Sequence, residues 1–299
     1  MSLFTGLSAF PLTPLANDAV DERAFASIVE RLARTGVDSI TALGSTGSYA
    51  YLSLAERARV ARLAVQHAGD TPVFVGVGAL RTSQVLENVD MAEAAGAAGL
   101  LLAPVSYQPL TENDVFELFR AVCEHTELPI ILYDNPGTTH FTFSPELYGR
   151  IAELSGLASI KMPSVPADLN RARDRIAEVR AVVPEHVTIG ISGDATAAYA
   201  LSAGCDAWYS VIGGTLPVPA LTITRAALAG QTDQAINESD RLAPLWRLFA
   251  EYGGSIRVIA ALAELLGLAP ERCLPLPIQG LDAAGRSHVA EVIESLELA

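Results

Sequence analysis

Along roughly the first three-quarters of this 299-residue chain, a short apolar run, a loop with Gly, Pro or Ser and a helix-length amphipathic stretch follow one another eight times. That alternation calls for parallel strands joined by helical crossovers, which leaves an open doubly wound sheet or a closed barrel. Strands are expected at residues 3–10, 39–43, 73–77, 99–103, 130–133, 158–161, 187–191 and 207–211. Helices are expected at 22–34, 54–67, 83–95, 112–125, 145–154, 167–178, 196–202 and 217–229. Eight units in about 225 residues match an α/β fold of the (β/α)8 TIM-barrel type. An open sheet would want a Gly-x-Gly-x-x-Gly turn after the first strand, and Phe10-Pro-Leu-Thr-Pro14 is not one.

Several boundaries carry their own chemistry. Ser53-Leu-Ala-Glu56 is a capping box opening the second helix. Gly36, Gly96 and Gly204 follow helix ends, where a left-handed residue closes the last turn. Beyond residue 225 the alternation stops, and three helices are expected at 233–250, 255–266 and 285–298. The chain therefore divides into a catalytic barrel over 1–224 and a C-terminal helical appendage over 225–299.

Charge narrows the partners. The net charge of −14 comes with no basic run, which argues against a nucleic-acid or anionic-membrane partner. No apolar stretch has the length of a membrane span, and the first residues lack the basic region of a signal peptide, so a cytoplasmic protein is expected. Cys123, Cys205 and Cys273 are far apart, and the five histidines have no metal-ligand spacing. Neither a metal nor a cofactor is expected.

Of the 20 basic residues all are arginine except Lys161, which closes the sixth expected strand. Arginine cannot shed its proton in a protein, whereas a buried lysine can and then acts as a nucleophile toward carbonyls. Catalytic groups of a barrel sit at the C-terminal strand ends. The polar residues expected there are Gly44-Ser-Thr-Gly-Ser48, Ser106 and Tyr107, Tyr133-Asp-Asn-Pro136, Lys161, and Gly193-Asp194. Gly44 to Gly47 has the composition of an anion cradle, with Ser45 and Thr46 as donors. Tyr133 is placed to move protons near Lys161, with Ser45, Thr46 and Tyr107 as relay candidates. Gly76-Val-Gly78 reads as close packing, Asp194 as the N-cap of the seventh helix, and His140 has nothing to pair it with a nucleophile.

These residues resemble the dihydrodipicolinate synthase and N-acetylneuraminate lyase family of Schiff-base aldolases, over nearly the whole chain. That family carries Gly-Thr-Thr-Gly-Glu after strand 2, Tyr-Asn-x-Pro at the end of strand 5, and its lysine 28 residues beyond that tyrosine, the spacing of Tyr133 and Lys161 here. The resemblance implies that Lys161 forms an imine with pyruvate or another 2-oxo acid and that Tyr133 moves protons. It implies that Ser45 and Thr46 hold the carboxylate, and that Gly193, Thr138 and Tyr209 belong to the binding site. Tyr107 would enter a neighbouring subunit's site, the register between Ser106 and Tyr107 staying open, within a homotetramer built as a dimer of dimers. Two departures stand out. Thr138 occupies the place of the arginine that grips the second carboxylate in true synthases, and Ser48 that of the motif glutamate. A lyase, aldolase or dehydratase acting on a hydroxylated 2-oxo acid is therefore the leading expectation. Dihydrodipicolinate synthase proper and a non-catalytic 2-oxo-acid binder are the alternatives.

Overall fold

The computed structural model describes residues 3–298. Eight parallel strands close into a barrel: β1 (Gly6–Ala9), β2 (Ser39–Ala42), β3 (Val73–Gly76), β4 (Gly99–Leu102), β5 (Ile130–Tyr133), β6 (Leu157–Met162), β7 (Thr188–Ile191) and β8 (Ala207–Ser210). Each strand pairs with its sequence neighbours, and β1 completes the ring by pairing with both β8 and β2. The crossovers are α1 (Glu22–Thr35), α2 (Leu54–His67), α3 (Thr82–Ala95), α4 (Glu112–His125), α5 (Pro145–Ala152), α6 (Leu169–Arg180), α7 (Ala197–Ser202) and α8 (Pro217–Leu228). The fold is the expected (β/α)8 barrel.

Strand alternation divides the apolar residues into two cores. Phe10, Phe74, Leu101, Ile131, Tyr133 and Tyr209 fill the barrel, while their sequence neighbours, such as Val75, Leu100, Leu132 and Trp208, face the helices. Hydroxyls inside the barrel are satisfied in pairs, Ser8 with Thr41 at 2.7 Å and Ser159 with Tyr209 at 2.6 Å, as burial without water requires.

Local signals act where they were read. Ser53 and Glu56 form the reciprocal capping box of α2, which starts that helix so that Arg57 lies inward. Buried Arg57 donates to the carbonyls of Gly76 and Gly78 at 2.9 and 3.0 Å, supplying partners to backbone at and just beyond the end of β3. Gly36 and Gly96 take left-handed conformations at the ends of α1 and α3.

The C-terminal appendage departs from expectation in one respect. The helix expected over 233–250 is two, α9 (Thr232–Arg241) and α10 (Ala243–Glu251), parted at Leu242. Pro244 has no N–H to continue the ladder and suits a first turn, so it starts a new helix instead of extending the old one. α11 (Ser255–Leu265) and α12 (Ala283–Ser295) follow. The appendage is tied to the face at the C-terminal strand ends, because the Leu15 amide in the segment after β1 donates to the Cys273 carbonyl at 2.9 Å. Among the described residues no helix is long and apolar enough to cross a membrane.

Gly76 shows how closely the strand ends approach. A Cβ there would stand 1.9 Å from the Leu43 carbonyl oxygen, and Leu43 is itself held at φ 58°. Gly76→Ala is expected to lower the unfolding free energy by about 3 kcal/mol, measured by urea titration; an unchanged midpoint would contradict this packing.

Candidate active site

β5 and β6 run side by side with Tyr133 and Lys161 in register, so strand pairing alone brings phenol and amine to the same rim. The Lys161 side chain is 1% exposed. Its Nζ lies 3.6 Å from the centroid of the Phe10 ring and 4.0 Å from that of Tyr133. Phe10 comes from the opposite part of the ring, one residue beyond β1. Its amide bonds the Ser210 carbonyl at 3.0 Å, and a Cβ at Gly44 would meet its ring at 2.5 Å. Gly44 is therefore needed to let the loop after β2 close over the aromatic ring.

Burial pulls the Lys161 ammonium down to about 7, against the opposing pull of the Asp194 carboxylate. The two ring faces favour the cation but do not replace the lost water. A large fraction of this amine therefore carries a free lone pair at neutral pH.

Tyr133 has three hydroxyl-level neighbours. Asn135 Nδ2 donates to its oxygen at 2.8 Å, and Ser45 Oγ lies at 3.4 Å. Burial raises the phenol above its ordinary range; hydrogen bonds from Ser45, Ser192 and Asn135 oppose that, and the Asp134 charge adds to it. Tyr133 is thus a protonated hydroxyl embedded in a short polar chain that reaches the loop after β2.

That loop, residues 43–48, turns through Leu43 and Ser48, both at positive φ. Thr46 is buried and Ser45 half-buried. Buried Ser48 Oγ and Thr13 Oγ1 have no hydrogen-bond partner, and Thr13 Oγ1 would lie 3.2 Å from a Cβ on Gly47. Unpaired donors around a tight Gly-containing turn suit an anion.

The remaining expected residues are distributed unevenly. Gly193 lies on the loop after β7, where a Cβ would strike Ser164 Oγ at 2.0 Å. Thr138 is exposed on the one-turn helix Pro136–Thr139, its hydroxyl donating to the Asn135 carbonyl at 3.4 Å. Tyr209 is fully buried, with its hydroxyl on Ser159, two residues before Lys161; it lies in the barrel interior at the level below the amine. Tyr107 stands 89% exposed on the loop after β4.

Asp194 corrects the sequence reading. It does not cap α7, whose N-cap is Thr196 without a side-chain bond. Its carboxylate instead accepts from Trp208 Nε1 at 2.9 Å, Ser210 Oγ at 3.2 Å, and the amides of Val211 and Ile212 at 3.2 and 2.8 Å. The barrel's last two loops are thereby bound together by one buried acid. Burial pushes that carboxyl up to about 6, against those four donors. Phe10 and Ser192 were missed, and only Phe10 left a signal, an aromatic ending an apolar strand run.

Residues 3–296 match the family model described as "Dihydrodipicolinate synthetase family". The chain belongs to that family. It is accordingly a carbon–carbon lyase of the pyruvate-dependent aldolase class. A 4-hydroxy-tetrahydrodipicolinate synthase of Methylococcus capsulatus is 34% identical over 286 residues, covering 94% of each chain. A crystal structure of dihydrodipicolinate synthase from Agrobacterium tumefaciens superposes with a TM-score of 0.94, at 45% identity and 98% coverage of both chains. A prophage protein of the same family from E. coli K12, solved in complex with pyruvate, gives 0.90 at 25% identity and full coverage of both chains.

The burial of Lys161 has a cost that can be measured. The folded amine releases its proton near 7 and the unfolded one near 10.5, so between those values the unfolded chain binds more protons and stability rises with pH. Lys161→Met is expected to stabilise the fold at pH 7 by on the order of 4 kcal/mol, a gain that shrinks toward pH 10.5. Denaturant titration at both pH values reads it, and a gain independent of pH would show that the amine is not penalised by burial.

Proposed function

We propose that this family member is a Schiff-base lyase whose nucleophile is Lys161 and whose carbonyl substrate is pyruvate or a 2-oxo acid that releases it. The observation that carries the reading is the dry amine between two aromatic rings, in register with a hydrogen-bonded tyrosine. The neutral Nζ adds to C2 of the oxo acid, and the resulting carbinolamine loses water to give a protonated imine. That cation draws electrons from the C3–C4 bond, so the bond breaks to an enamine, or forms from one in the reverse direction. Tyr133 delivers and removes the protons these steps require, while Ser45 and Thr46 donate to the oxo-acid carboxylate.

The rest of the substrate meets neutral groups. Thr138 and Asn135 offer hydroxyl and amide rather than a guanidinium, and a threonine cannot make the bidentate clamp that a second carboxylate would use. Hydroxylated 2-oxo acids therefore fit better than aspartate semialdehyde. Dihydrodipicolinate synthase proper remains the second reading, favoured by the names of the relatives. Comparing turnover of pyruvate plus aspartate semialdehyde with cleavage of a panel of 2-oxo sugar acids separates the two.

Exposed Tyr107 supports an assembly in which this loop enters a second subunit, in a tetramer built from dimers. Three unpaired cysteines support a reducing, cytoplasmic setting.

Incubation with pyruvate followed by borohydride should add one reduced pyruvyl group, located at Lys161 by peptide mapping; a protein of unchanged mass would refute the mechanism. Lys161→Ala should abolish the adduct and the turnover, which also distinguishes an enzyme from a passive oxo-acid binder. Tyr133→Phe should lower turnover by about 100-fold or more while leaving the fold intact. For the assembly, light scattering should give an oligomer, and Tyr107→Ala should reduce activity; a fully active monomer would remove Tyr107 from the site.

A further inference from the structure

Side chains two residues apart on an extended strand share a face. Tyr133 ends β5 inside the barrel, Asp134 turns outward to meet Tyr148 on α5, and Asn135 comes back to the rim beside the phenol. Pro136 helps to hold it there, because the residue before a proline is kept out of the helical region. Asn135 accordingly takes φ −142° and ψ 73°.

The backbone and the side chain of Asn135 do different work. Its carbonyl accepts from the amides of Thr138 and Thr139, both at 3.0 Å, and from the Thr139 hydroxyl at 3.0 Å. Those bonds build the one-turn helix Pro136–Thr139. The side chain caps nothing in that turn. Its Nδ2 donates instead to the Tyr133 hydroxyl oxygen at 2.8 Å. The turn needs residue 135 as backbone, and the amide group is left for the phenol.

That amide constrains where the phenol proton goes. An amide nitrogen only donates, whereas a phenol carries one proton and an oxygen that accepts. Tyr133 therefore accepts from Asn135 and sends its own proton elsewhere. Ser45 Oγ, at 3.4 Å, is long for an O–H···O bond and does not hold that proton firmly. A donor on the phenol oxygen also strengthens as that oxygen gains negative charge. Burial holds the phenol above its ordinary range, and Ser45, Ser192 and Asn135 are the three donors that oppose it.

We propose that Asn135 is the positioning residue for proton transfer by Tyr133, keeping the phenol proton free for substrate and stabilising the phenolate left when it is given up. The phenol O–H breaks, its proton joins the departing hydroxyl of the carbinolamine to make water, and the electron pair stays on the Tyr133 oxygen. A proton taken from C3 of the imine, whose C–H pair moves into the enamine, restores the phenol. This role rests on the Schiff-base reading of Lys161 and Tyr133.

Pyruvate alone in deuterated water tests it. Exchange of the methyl protons reports both steps without a second substrate, and exhaustive borohydride trapping reports the imine irrespective of its rate. Asn135→Ala should trap fully on Lys161 yet exchange roughly 10- to 100-fold more slowly, as expected for one lost hydrogen bond to a charged group. Asn135→Asp presents only acceptors near pH 8 and should be at least as slow. In a Tyr133→Phe background, which lacks the phenol oxygen, Asn135→Ala should cost nothing further. Wild-type exchange by Asn135→Ala or Asn135→Asp would overturn the proposal, since the phenol would then have no need of a donor. So would an Asn135→Ala loss of equal size with and without the phenol, or an Asn135→Ala protein too disordered to trap pyruvate, because each is the behaviour of a residue that merely shapes the turn. The underlying reading fails separately, and takes this role with it, if the wild type traps no pyruvate on Lys161 or if Tyr133→Phe exchanges at the wild-type rate.

Discussion

An amine stripped of water is the constraint on which the rest of this molecule turns. Lys161 is enclosed by Phe10 and Tyr133, and the penalty on its charged form is what leaves its lone pair free near neutrality. The groups around it maintain that dryness. The aromatic rings exclude water on two sides. Asp194 supplies a distant countercharge that limits the shift, and four donors keep that acid in place.

The barrel provides this through its layers rather than through any single loop. Residues of one parity on each strand build the interior, and those of the other parity anchor the helices. The site occupies the last interior level, where Phe10, Tyr133 and Lys161 replace the simpler packing below. Glycines at 44 and 76 let neighbouring backbone come within contact distance of that level. Lys161 and Tyr133 consequently stand on strand ends, which are rigid, while exposed Thr138 and Tyr107 stand on connecting segments that can vary in sequence without moving the amine.

Much of this was legible in the chain. Strand and helix periods mark the eight units because each buried face must repeat at its own spacing, and the capping box of Ser53 and the left-handed glycines at 36 and 96 act through backbone geometry alone. Lys161 was conspicuous as the one lysine among twenty basic residues, and Tyr133 as the tyrosine that ends the preceding apolar strand run. What escaped was tertiary. Phe10 joins the site only when the ring closes, Asp194 exchanges a helix cap for partners on the next strand, and the break at Leu242 depends on Pro244 outweighing an otherwise continuous amphipathic pattern. The first two choices are set by residues distant in the sequence, and the third by one proline set against a long amphipathic pattern.

The seam between β1 and β8 has one more consequence. Phe10 reaches the amine from the first strand, whereas Lys161 and Tyr133 arrive from the fifth and sixth, so the dry enclosure cannot exist in a sheet that has not yet joined its ends. Until then the lysine is an ordinary solvated ammonium with little appetite for carbonyls. The low proton affinity of this amine is thus conferred by ring closure itself, and on the Schiff-base reading proposed above a chain whose ring is open would hold no activated amine.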